Sequence, residues 1–389
     1  MTAGAGWSGP AWGDPSLAAA SPALLRALGT APAASYRADG GRSRDFFVLG
    51  ASVSGVSHRS AGRRCEDCFG WAQPAPGLLG LVVADGVGSA GRGGEGAQLA
   101  VEAACAFLMD GARQARPRYV GETAKQRHER SRARGHPGPE WGPELCAETI
   151  FHASDEISRS GDAAESPSER ATTIVVALVC NSAGGPEGDG DGAIVAEVSL
   201  GRVGDSSAFS LSEDGTWTEL FLGRAGAGGE GEMLGTATPA LPITGTKRAC
   251  DWRGQFLDRA DRADRADRAD RAHRAADLAG RRPSGSRHGP VSLMVSPVEL
   301  VSYRLARGTC LVLLTDGVAE PLRDGPETVA PGLAQVLMLG RTGDLGPLEL
   351  ARAVDFSRRG AHDDRALLAA WVVGRAGGAG GAVGGAAGG

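Results

Sequence analysis

Carboxylates stand beside three apolar segments of the sequence. Asp85 and Asp316 directly follow such segments, Asp363 stands just before another, and the acidic pair Glu66–Asp67 follows the first apolar segment of the chain. A carboxylate fixed at the end of a buried strand is costly unless it is paired or bound to a metal. Because converging acids repel one another, this pattern predicts a hard divalent cation held by carboxylate, carbonyl and water oxygens.

The segment after Asp85 is rich in glycine, which raises other interpretations. A phosphate-binding loop would carry Gly-Lys-Ser/Thr, which is absent. The dinucleotide fingerprint does not match either, because an acid leads the loop and would repel a phosphate. A single Asp-Gly is often only a turn, and this alternative stays open for each acid taken alone. As a ligand, Gly86 could bring its backbone carbonyl close to a metal.

Apolar periodicity predicts the elements that must position these acids. Predicted strands cover 46–55, 78–84, 172–180, the two halves of 193–217, the apolar part of 309–322 that runs into Asp316, and a final strand within 360–374. Predicted helices cover 95–111, 143–160 and 345–359. The two strands within 193–217 meet at Gly204–Asp205, which we interpret as a pair that shapes a hairpin rather than as a ligand.

The composition predicts one folded domain with insertions. Of 389 residues 61 are glycine, and much of that glycine lies in segments that cannot form a core. We expect a flexible segment over 1–44, a folded domain over 45–374 and a disordered Gly/Ala tail over 375–389. Insertions are expected at about 112–140, a basic surface or docking segment, and at 223–290, which contains an Asp-Arg-Ala repeat and is interpreted as a spacer.

Charge and cysteine content exclude several classes. The net charge of −5 argues against a nucleic-acid partner, and no apolar stretch is long enough to cross a membrane. The seven cysteines are scattered, and Cys65–Cys68 lacks the second pair that a zinc site needs, so reduced thiols are expected. Because the N-terminus has no signal-peptide pattern, a cytoplasmic protein is predicted, and we expect a monomer.

Six segments, in this order, resemble the motifs of the PPM-type metal-dependent protein phosphatases, the protein phosphatase 2C family, in its bacterial branch. The segments are SHRSAGRRCEDCFGW (57–71), VVADGVGS (82–89), RATTIVVAL (170–178), GRVGDSSAFSL (201–211), LLTDGVAEPL (313–322) and GAHDDRALLAAWV (360–372). Within these motifs Ala171 replaces Gly, Thr315 replaces Ser, and Asp364 replaces Asn. The resemblance covers roughly residues 48–374.

The resemblance implies an α+β fold, a four-layer αββα sandwich of two antiparallel sheets flanked by helix pairs. It also implies two Mn²⁺ or Mg²⁺ ions, with a third in some members, in a cleft at one edge of the sandwich. By this resemblance Asp85 bridges both ions, the Gly86 carbonyl joins one of them, and Asp316 and Asp363 hold the other.

The same resemblance assigns catalytic roles near the first motif. Glu66 and Asp67 would act mainly through metal-bound water. The family often places a phosphate-binding arginine where this chain has Gly62. Arg63 or Arg64 would replace it after a small shift, and the alternative is a surface arginine.

Four further positions bear on the site. Glu169 stands where bacterial members carry an acidic ligand to a third ion, and its alternative is a surface glutamate. Val87 replaces a histidine that many members carry, which removes the expected proton donor. His58 and His362 lie within the motifs, and structural roles are the favoured interpretation for both.

The function predicted from the resemblance is a protein serine/threonine phosphatase. A metal-activated water would attack the phosphorus of phosphoserine or phosphothreonine in a protein substrate, with no covalent intermediate. The alternative is a regulatory pseudophosphatase or phosphoprotein-binding module on the same fold, motivated by Gly62, Val87 and the basic insertion. An unrelated metal hydrolase acting on small phosphoesters is a third hypothesis.

Overall fold

Two antiparallel sheets with helices on their outer faces make up the α+β fold of this chain. The computed structural model describes residues 36–119, 142–160, 166–181, 194–221, 240–242, 291–295, 298–356 and 362–373. The strands in these ranges are β1 (Tyr36–Arg42), β2 (Phe46–Val53), β3 (Asp67–Ala75), β4 (Leu78–Asp85), β5 (Ile174–Asn181), β6 (Ile194–Val203), β7 (Ser207–Leu211), β8 (Trp217–Glu219), β9 (Val291–Val295), β10 (Val298–Ala306), β11 (Cys310–Leu314) and β12 (Arg365–Val372).

Most of the helices fall into two groups, one for each sheet. They are α1 (Val56–Ser60), α2 (Gly93–Tyr119), α3 (Pro143–Arg159), α4 (Asp316–Asp324), α5 (Pro326–Thr342) and α6 (Pro347–Val354), with a 3₁₀ turn at Pro167–Arg170. The first sheet has the strand order β1-β2-β12-β11-β7-β8 and the second has β3-β4-β5-β6-β10-β9. Helices α2 and α3 pack on the second sheet, and α4, α5 and α6 pack on the first.

Three buried apolar clusters hold the two sheets and the two groups of helices together. Between the sheets lies a buried cluster that includes Leu81 of β4, Leu313 of β11 and Leu368 of β12. Two further clusters join the outer face of each sheet to its helices. Strands β4 and β11 are therefore covered on both faces, which is why their sequences are continuously apolar. The predicted four-layer sandwich is confirmed, although within the described residues three helices rather than a pair cover the first sheet.

The N-terminal edge strand was not expected. Residues Tyr36–Arg42 form β1 and pair along their whole length with β2, so the flexible segment predicted over 1–44 does not extend to residue 44. The sequence YRADGGR has no apolar alternation, and its strand is induced by pairing with β2. A side chain at Gly40 would stand 2.4 Å from Leu49 Cδ2, so the glycine permits this close pairing.

The connection between β6 and β7 differs from the prediction. Strand β6 lies in the second sheet and β7 in the first, so the chain at Gly204–Asp205 crosses from one sheet to the other. The predicted hairpin is wrong, because a local turn pattern does not tell which partners its flanking strands choose. Gly204 adopts φ of 106°, which a residue with a side chain rarely takes.

Helix α2 extends beyond its predicted end. It continues through Gly111 to Tyr119, inside the insertion predicted at about 112–140. The rest of that insertion, most of the segment 223–290 and the tail 375–389 lie outside the described residues. Both cysteines of the Cys65–Cys68 pair are free thiols. Among the helices of the described ranges, none is both long and apolar enough to cross a membrane.

Candidate active site

Acids from both sheets meet at one edge of the sandwich. Asp67 begins β3 and Asp85 ends β4, and the two residues are register partners in that pair of strands. Asp316 follows β11 as the first residue of α4, and Asp363 stands two residues before β12. Because β11 and β12 are neighbours, their acids share one end of the first sheet. The packing of the sheets brings this end beside Asp67 and Asp85.

The tightest group consists of Asp85, Asp205 and Asp316. One carboxylate oxygen from each lies within 4.8 Å of the other two. The sequence interpretation treated Asp205 as a turn residue, and its carboxylate belongs instead to this group. The local signal for Asp205 is weak, because the strand before it contains Glu197 and Arg202 and lacks the continuous apolar run that precedes Asp85 and Asp316.

Asp67 and Asp85 are buried in a way that disfavours their charge. Burial raises the pKa of the Asp67 carboxyl well above its usual value, and the nearby charge of Asp364 raises it further. Burial likewise raises the pKa of Asp85 well above the usual range, with added repulsion from Asp67 and Asp316. Asp67 Oδ2 is buried and has no hydrogen-bond partner among the described residues.

Asp316 is a third carboxyl whose charged form is disfavoured by its surroundings. Burial raises the pKa of its carboxyl to about 6, and the charges of Asp363, Asp205 and Glu320 contribute to the increase. Its Oδ1 is buried and lacks a hydrogen-bond partner within the described ranges. Orphaned carboxylate oxygens, mutual repulsion and a donor set made only of oxygen fit a hard divalent cation. The residues present therefore fit the metal that the sequence predicts.

The backbone around Asp85 is fixed by two threonines. Thr172 Oγ1 donates to the Asp85 carbonyl at 2.7 Å, and the Thr173 amide donates to the same oxygen at 2.8 Å. Gly86 and Thr172 form an isolated bridge. This bridge consists of two hydrogen bonds, the one from the Thr173 amide to the Asp85 carbonyl and one from the Val87 amide to the Ala171 carbonyl. The carbonyl of Gly86 is therefore not used by the bridge.

Three glycines in the loop after Asp85 and in the first turn of α2 are needed for close packing. A side chain at Gly86 would stand 2.4 Å from the Gly93 carbonyl carbon, and one at Gly96 would stand 2.0 Å from the Arg170 oxygen. Gly93 is similarly crowded by Val87. Gly88, in contrast, faces open space. The loop is thus packed against the first turn of α2 and the 3₁₀ turn.

Arg63 and Glu66 contact each other beside the acids. The Arg63 guanidinium forms an ion pair with Glu66 Oε1, and 46% of the Arg63 side chain is exposed. Glu66 Oε2 is buried and has no hydrogen-bond partner in the part of the chain that the structure describes. Arg64 and Gly62 are exposed. Of the two arginines considered for phosphate binding, Arg63 is the one whose contact with a site acid is seen.

Asp363 and Glu169 lie outside the tight group. Asp363 is exposed and lines an open cleft of about 260 Å³ together with Asp316, His362 and Ser57. Glu169 has an exposed side chain in the 3₁₀ turn, and its carbonyl accepts a hydrogen bond from the Arg92 amide. The structure places Asp363 beside the group and does not bring Glu169 into it.

A family model, described as protein phosphatase 2C, matches residues 54–351. The chain belongs to the protein phosphatase 2C family. The match includes the segments that carry Glu66, Asp67, Asp85, Asp205 and Asp316, and it confirms the resemblance seen in the sequence. The fold described above is the fold expected of a protein phosphatase 2C member.

Individual relatives of this protein phosphatase 2C chain are distant. Serine/threonine-protein phosphatase 3 of Escherichia coli (strain K12) is 45% identical over 62 residues, which is 15% of this chain and 24% of that protein. The aligned part thus spans about a quarter of the length of that relative.

Similar solved structures include the S. agalactiae serine/threonine phosphatase, 15% identical with a TM-score of 0.41, covering 87% of this chain and 100% of that one. They also include the Mycobacterium tuberculosis phosphatase PstP/Ppp, 15% identical with a TM-score of 0.39, covering 85% and 100%. A Toxoplasma gondii phosphatase is 13% identical with a TM-score of 0.45, covering 87% and 95%.

Proposed function

We propose that this chain is a metal-dependent protein serine/threonine phosphatase that uses two Mn²⁺ or Mg²⁺ ions. The observation that supports it is the group formed by Asp85, Asp205 and Asp316. One carboxylate oxygen from each of these residues lies within 4.8 Å of the other two, although the residues come from different sheets. Family membership adds the reaction class, the hydrolysis of a phosphoric monoester in a protein. A monomeric state and a cytoplasmic location stay predictions from the sequence.

The acids would share the ions as follows. Asp85, whose carboxyl interacts with those of Asp67 and Asp316, would hold the ions, together with the carbonyl oxygen of Gly86. Asp316 and Asp363 would hold the second ion from the side of the first sheet. Asp205 would add a carboxylate from the crossing between the sheets. We assign no third-ion role to Glu169, because its side chain lies outside this group.

The chemistry divides between the cations and the chain. Bound divalent cations lower the pKa of a coordinated water and offset the charge on phosphoryl oxygens. Asp67 and Glu66 would accept hydrogen bonds from the attacking water and orient it toward phosphorus. The water oxygen forms a bond to phosphorus as the P–O bond to the serine or threonine breaks, a proton released by the water ends on the leaving oxygen, and inorganic phosphate is released.

Arg63 would bind the phosphoryl group of the substrate. Its guanidinium is half exposed and already lies beside the site, and its present partner Glu66 is one carboxylate. A phosphate dianion offers more acceptor oxygens and more charge to the same guanidinium. We expect Arg63 to share its donors between Glu66 and the phosphate when substrate is bound.

A pseudophosphatase or phosphoprotein-binding module is the second candidate. Val87 occupies the position of a histidine found in many members, and Arg63 is engaged by Glu66. This candidate predicts binding of metal or phosphoprotein without turnover.

Phosphate release from a phosphoserine peptide, measured with Mn²⁺, with Mg²⁺ and with a chelator, tests the proposal. We expect turnover that needs metal and that falls about a hundredfold or more in Asp85→Ala. Glu327→Gln, an exposed acid on α5, is the control and should leave turnover unchanged. Metal-independent turnover, or full activity in Asp85→Ala, would refute the proposal. Calorimetric binding of Mn²⁺ without any hydrolysis would favour the pseudophosphatase.

A further inference from the structure

Asp364, the residue next to Asp363, is buried and accepts three hydrogen bonds. Its Oδ1 accepts from the Gly55 amide at 2.6 Å. Its Oδ2 accepts from the Glu66 amide at 2.5 Å and lies 2.8 Å from His58 Nδ1. Only 2% of Asp364 is exposed. The three donors lie near one another in the chain and some 300 residues before Asp364, so the contact is a tertiary one.

Two glycines allow the Asp364 segment to fit into this place. A side chain at Gly55 would stand 2.2 Å from the His362 carbonyl oxygen, and one at Gly317 would stand 1.9 Å from the Asp364 carbonyl oxygen. The backbone at Asp364 is therefore pressed between the start of α1 and the start of α4. This packing fixes where the Asp364 carboxylate points. It also leaves no room for a side chain at Gly55 or at Gly317.

The peptide group of Glu66 links Asp364 to the metal side of the site. The Glu66 amide donates to Asp364, and the Glu66 carbonyl accepts from the Gly86 amide at 3.2 Å. Asp67 follows at once and pairs in register with Asp85. Asp364 leads into β12 of the first sheet, whereas Asp67 and Gly86 belong to the end of the second sheet. The chain of bonds thus joins the two sheets across the site.

An aspartate suits this position better than the asparagine of the family motif. A carboxylate has two acceptor oxygens, and here both are used by N–H donors. A carboxamide has one acceptor oxygen, so an asparagine would turn its NH₂ group toward Gly55 or toward Glu66 and His58. One buried donor would then lose its acceptor, which is costly. With Asp364 as the acceptor, His58 is its donor through Nδ1.

We propose that Asp364, with His58 as its partner, is a positioning residue that holds the Glu66 peptide and thereby sets Glu66 and Asp67 against Asp85. The inference rests on the proposed function for its effect on turnover, but the hydrogen bonds can be tested without it. Asp364 contacts neither substrate nor metal in this role. Its effect reaches the reaction through the position of the Glu66–Asp67 segment.

The direct test is hydrogen exchange at the Glu66 amide in metal-free protein, with Mn²⁺ affinity measured by calorimetry and with kcat and KM for a phosphoserine peptide. In Asp364→Asn we expect about tenfold faster exchange at Glu66 and about tenfold weaker Mn²⁺ binding, since a charge-assisted hydrogen bond is lost or replaced. We expect kcat to fall while KM stays constant, because the substrate contacts remain.

His58 provides a matched pair of variants. In His58→Asn the side-chain NH₂ is attached to Cγ, as Nδ1 is in histidine, so an N–H donor is kept. Hydrogen exchange at the Glu66 amide and Mn²⁺ affinity should therefore stay near those of the wild type. His58→Ala removes the donor and should speed exchange at Glu66. Asp324→Asn repeats the chemical change at the exposed end of α4 and is the control for Asp364→Asn. If Asp364→Asn does not fold, the two His58 variants carry the test.

Two results would overturn the inference. One is an Asp364→Asn protein with wild-type exchange and Mn²⁺ affinity and only a lower melting temperature, which is the mark of a purely structural residue. The other is equal exchange at Glu66 in His58→Ala and His58→Asn. If the wild type fails to hydrolyse the peptide while Asp364→Asn still loses protection at Glu66, the phosphatase proposal fails and the positioning role stands.

Discussion

Asp67 and Asp85 face each other at the adjoining ends of β3 and β4, and burial raises the pKa of both carboxyls well above the usual range. Asp316 adds a third such carboxyl, with its pKa raised to about 6. A folded protein that keeps these acids together without a cation does so at a cost to its stability. At the scale of single residues, the site is built for a ligand that supplies positive charge.

Gly86 gives a prediction at the same scale. Gly86→Ala should lower the free energy of unfolding by about 1–3 kcal/mol and abolish turnover, because the new methyl group would overlap the Gly93 backbone and displace Asp85. Gly88→Ala is the matched control in the same loop, where a methyl group meets open space. Urea denaturation and the phosphate-release assay measure both effects. Equal stability of the two variants would contradict this account of the loop.

At the scale of elements, the site depends on how the strands are distributed between the sheets. The connection from β6 to β7 carries Asp205 across the sandwich, and a buried hydroxyl pair ties it to β5. Thr173 Oγ1 and Ser206 Oγ lie 2.7 Å apart. The Thr173 amide also donates to the Asp85 carbonyl. Thr173, the residue before β5, therefore contacts both the backbone of Asp85 and the neighbour of Asp205, Ser206.

The hydroxyl pair predicts a measurable coupling. Thr173→Val and Ser206→Ala should each lower the free energy of unfolding by about 1 kcal/mol or more, since each leaves a buried hydroxyl without its partner. The double variant should lose about 1 kcal/mol less than the sum of the two. Both single variants should also weaken Mn²⁺ binding through Asp205. Ser302→Ala, exposed on β10, serves as the control, and additive losses would disprove the coupling.

At the scale of the whole molecule, the candidate site bridges two sheets that share one apolar cluster. The cluster between the sheets draws on β4 and β5 from one side and on β11 and β12 from the other. Asp85 and Asp316 lie at the ends of β4 and β11, two of these strands, and Asp363 lies just before β12. Binding at the site is therefore expected to stabilise the whole fold, because separating the sheets also takes the site apart.

The raised carboxyl pKa values set the direction of a pH dependence. For Asp316 the folded pKa of about 6 exceeds the usual 3.8, so between these values the folded state holds more protons than the unfolded state. The metal-free protein should therefore lose stability as pH rises from about 4 to 6, by about 2 kcal/mol for this group. Asp316→Asn should lack this contribution.

Thermal or urea unfolding at a series of pH values, with a chelator present, measures the difference between wild type and Asp316→Asn. Adding Mn²⁺ at about one hundred times its Kd should raise the free energy of unfolding of the wild type by about 2.7 kcal/mol at neutral pH. Parallel pH profiles for the two proteins would contradict the assigned pKa. An unchanged stability with Mn²⁺ would contradict the metal site.

Local pattern was enough to predict part of this protein. The continuously apolar strands that end in Asp85 and Asp316 follow from the sequence itself, because burial on both faces leaves a local signature. The two-sheet sandwich was implied by the resemblance of six ordered motifs to the protein phosphatase 2C family. Helix α3 was also predicted, from its amphipathic pattern. Helix α5 and strands β9 and β10 were not predicted, since their chain segments carry weak local signals.

What the tertiary structure decided lies in contacts between distant parts of the chain. Asp205 reads locally as a turn residue, and only the separation of β6 and β7 into different sheets brings it to Asp85 and Asp316. Asp364 reads as a departure from a motif, and its three donors lie about 300 residues away. The sequence by itself determined which acids end the strands, because strand burial is local. The packing of two sheets decided which of them meet.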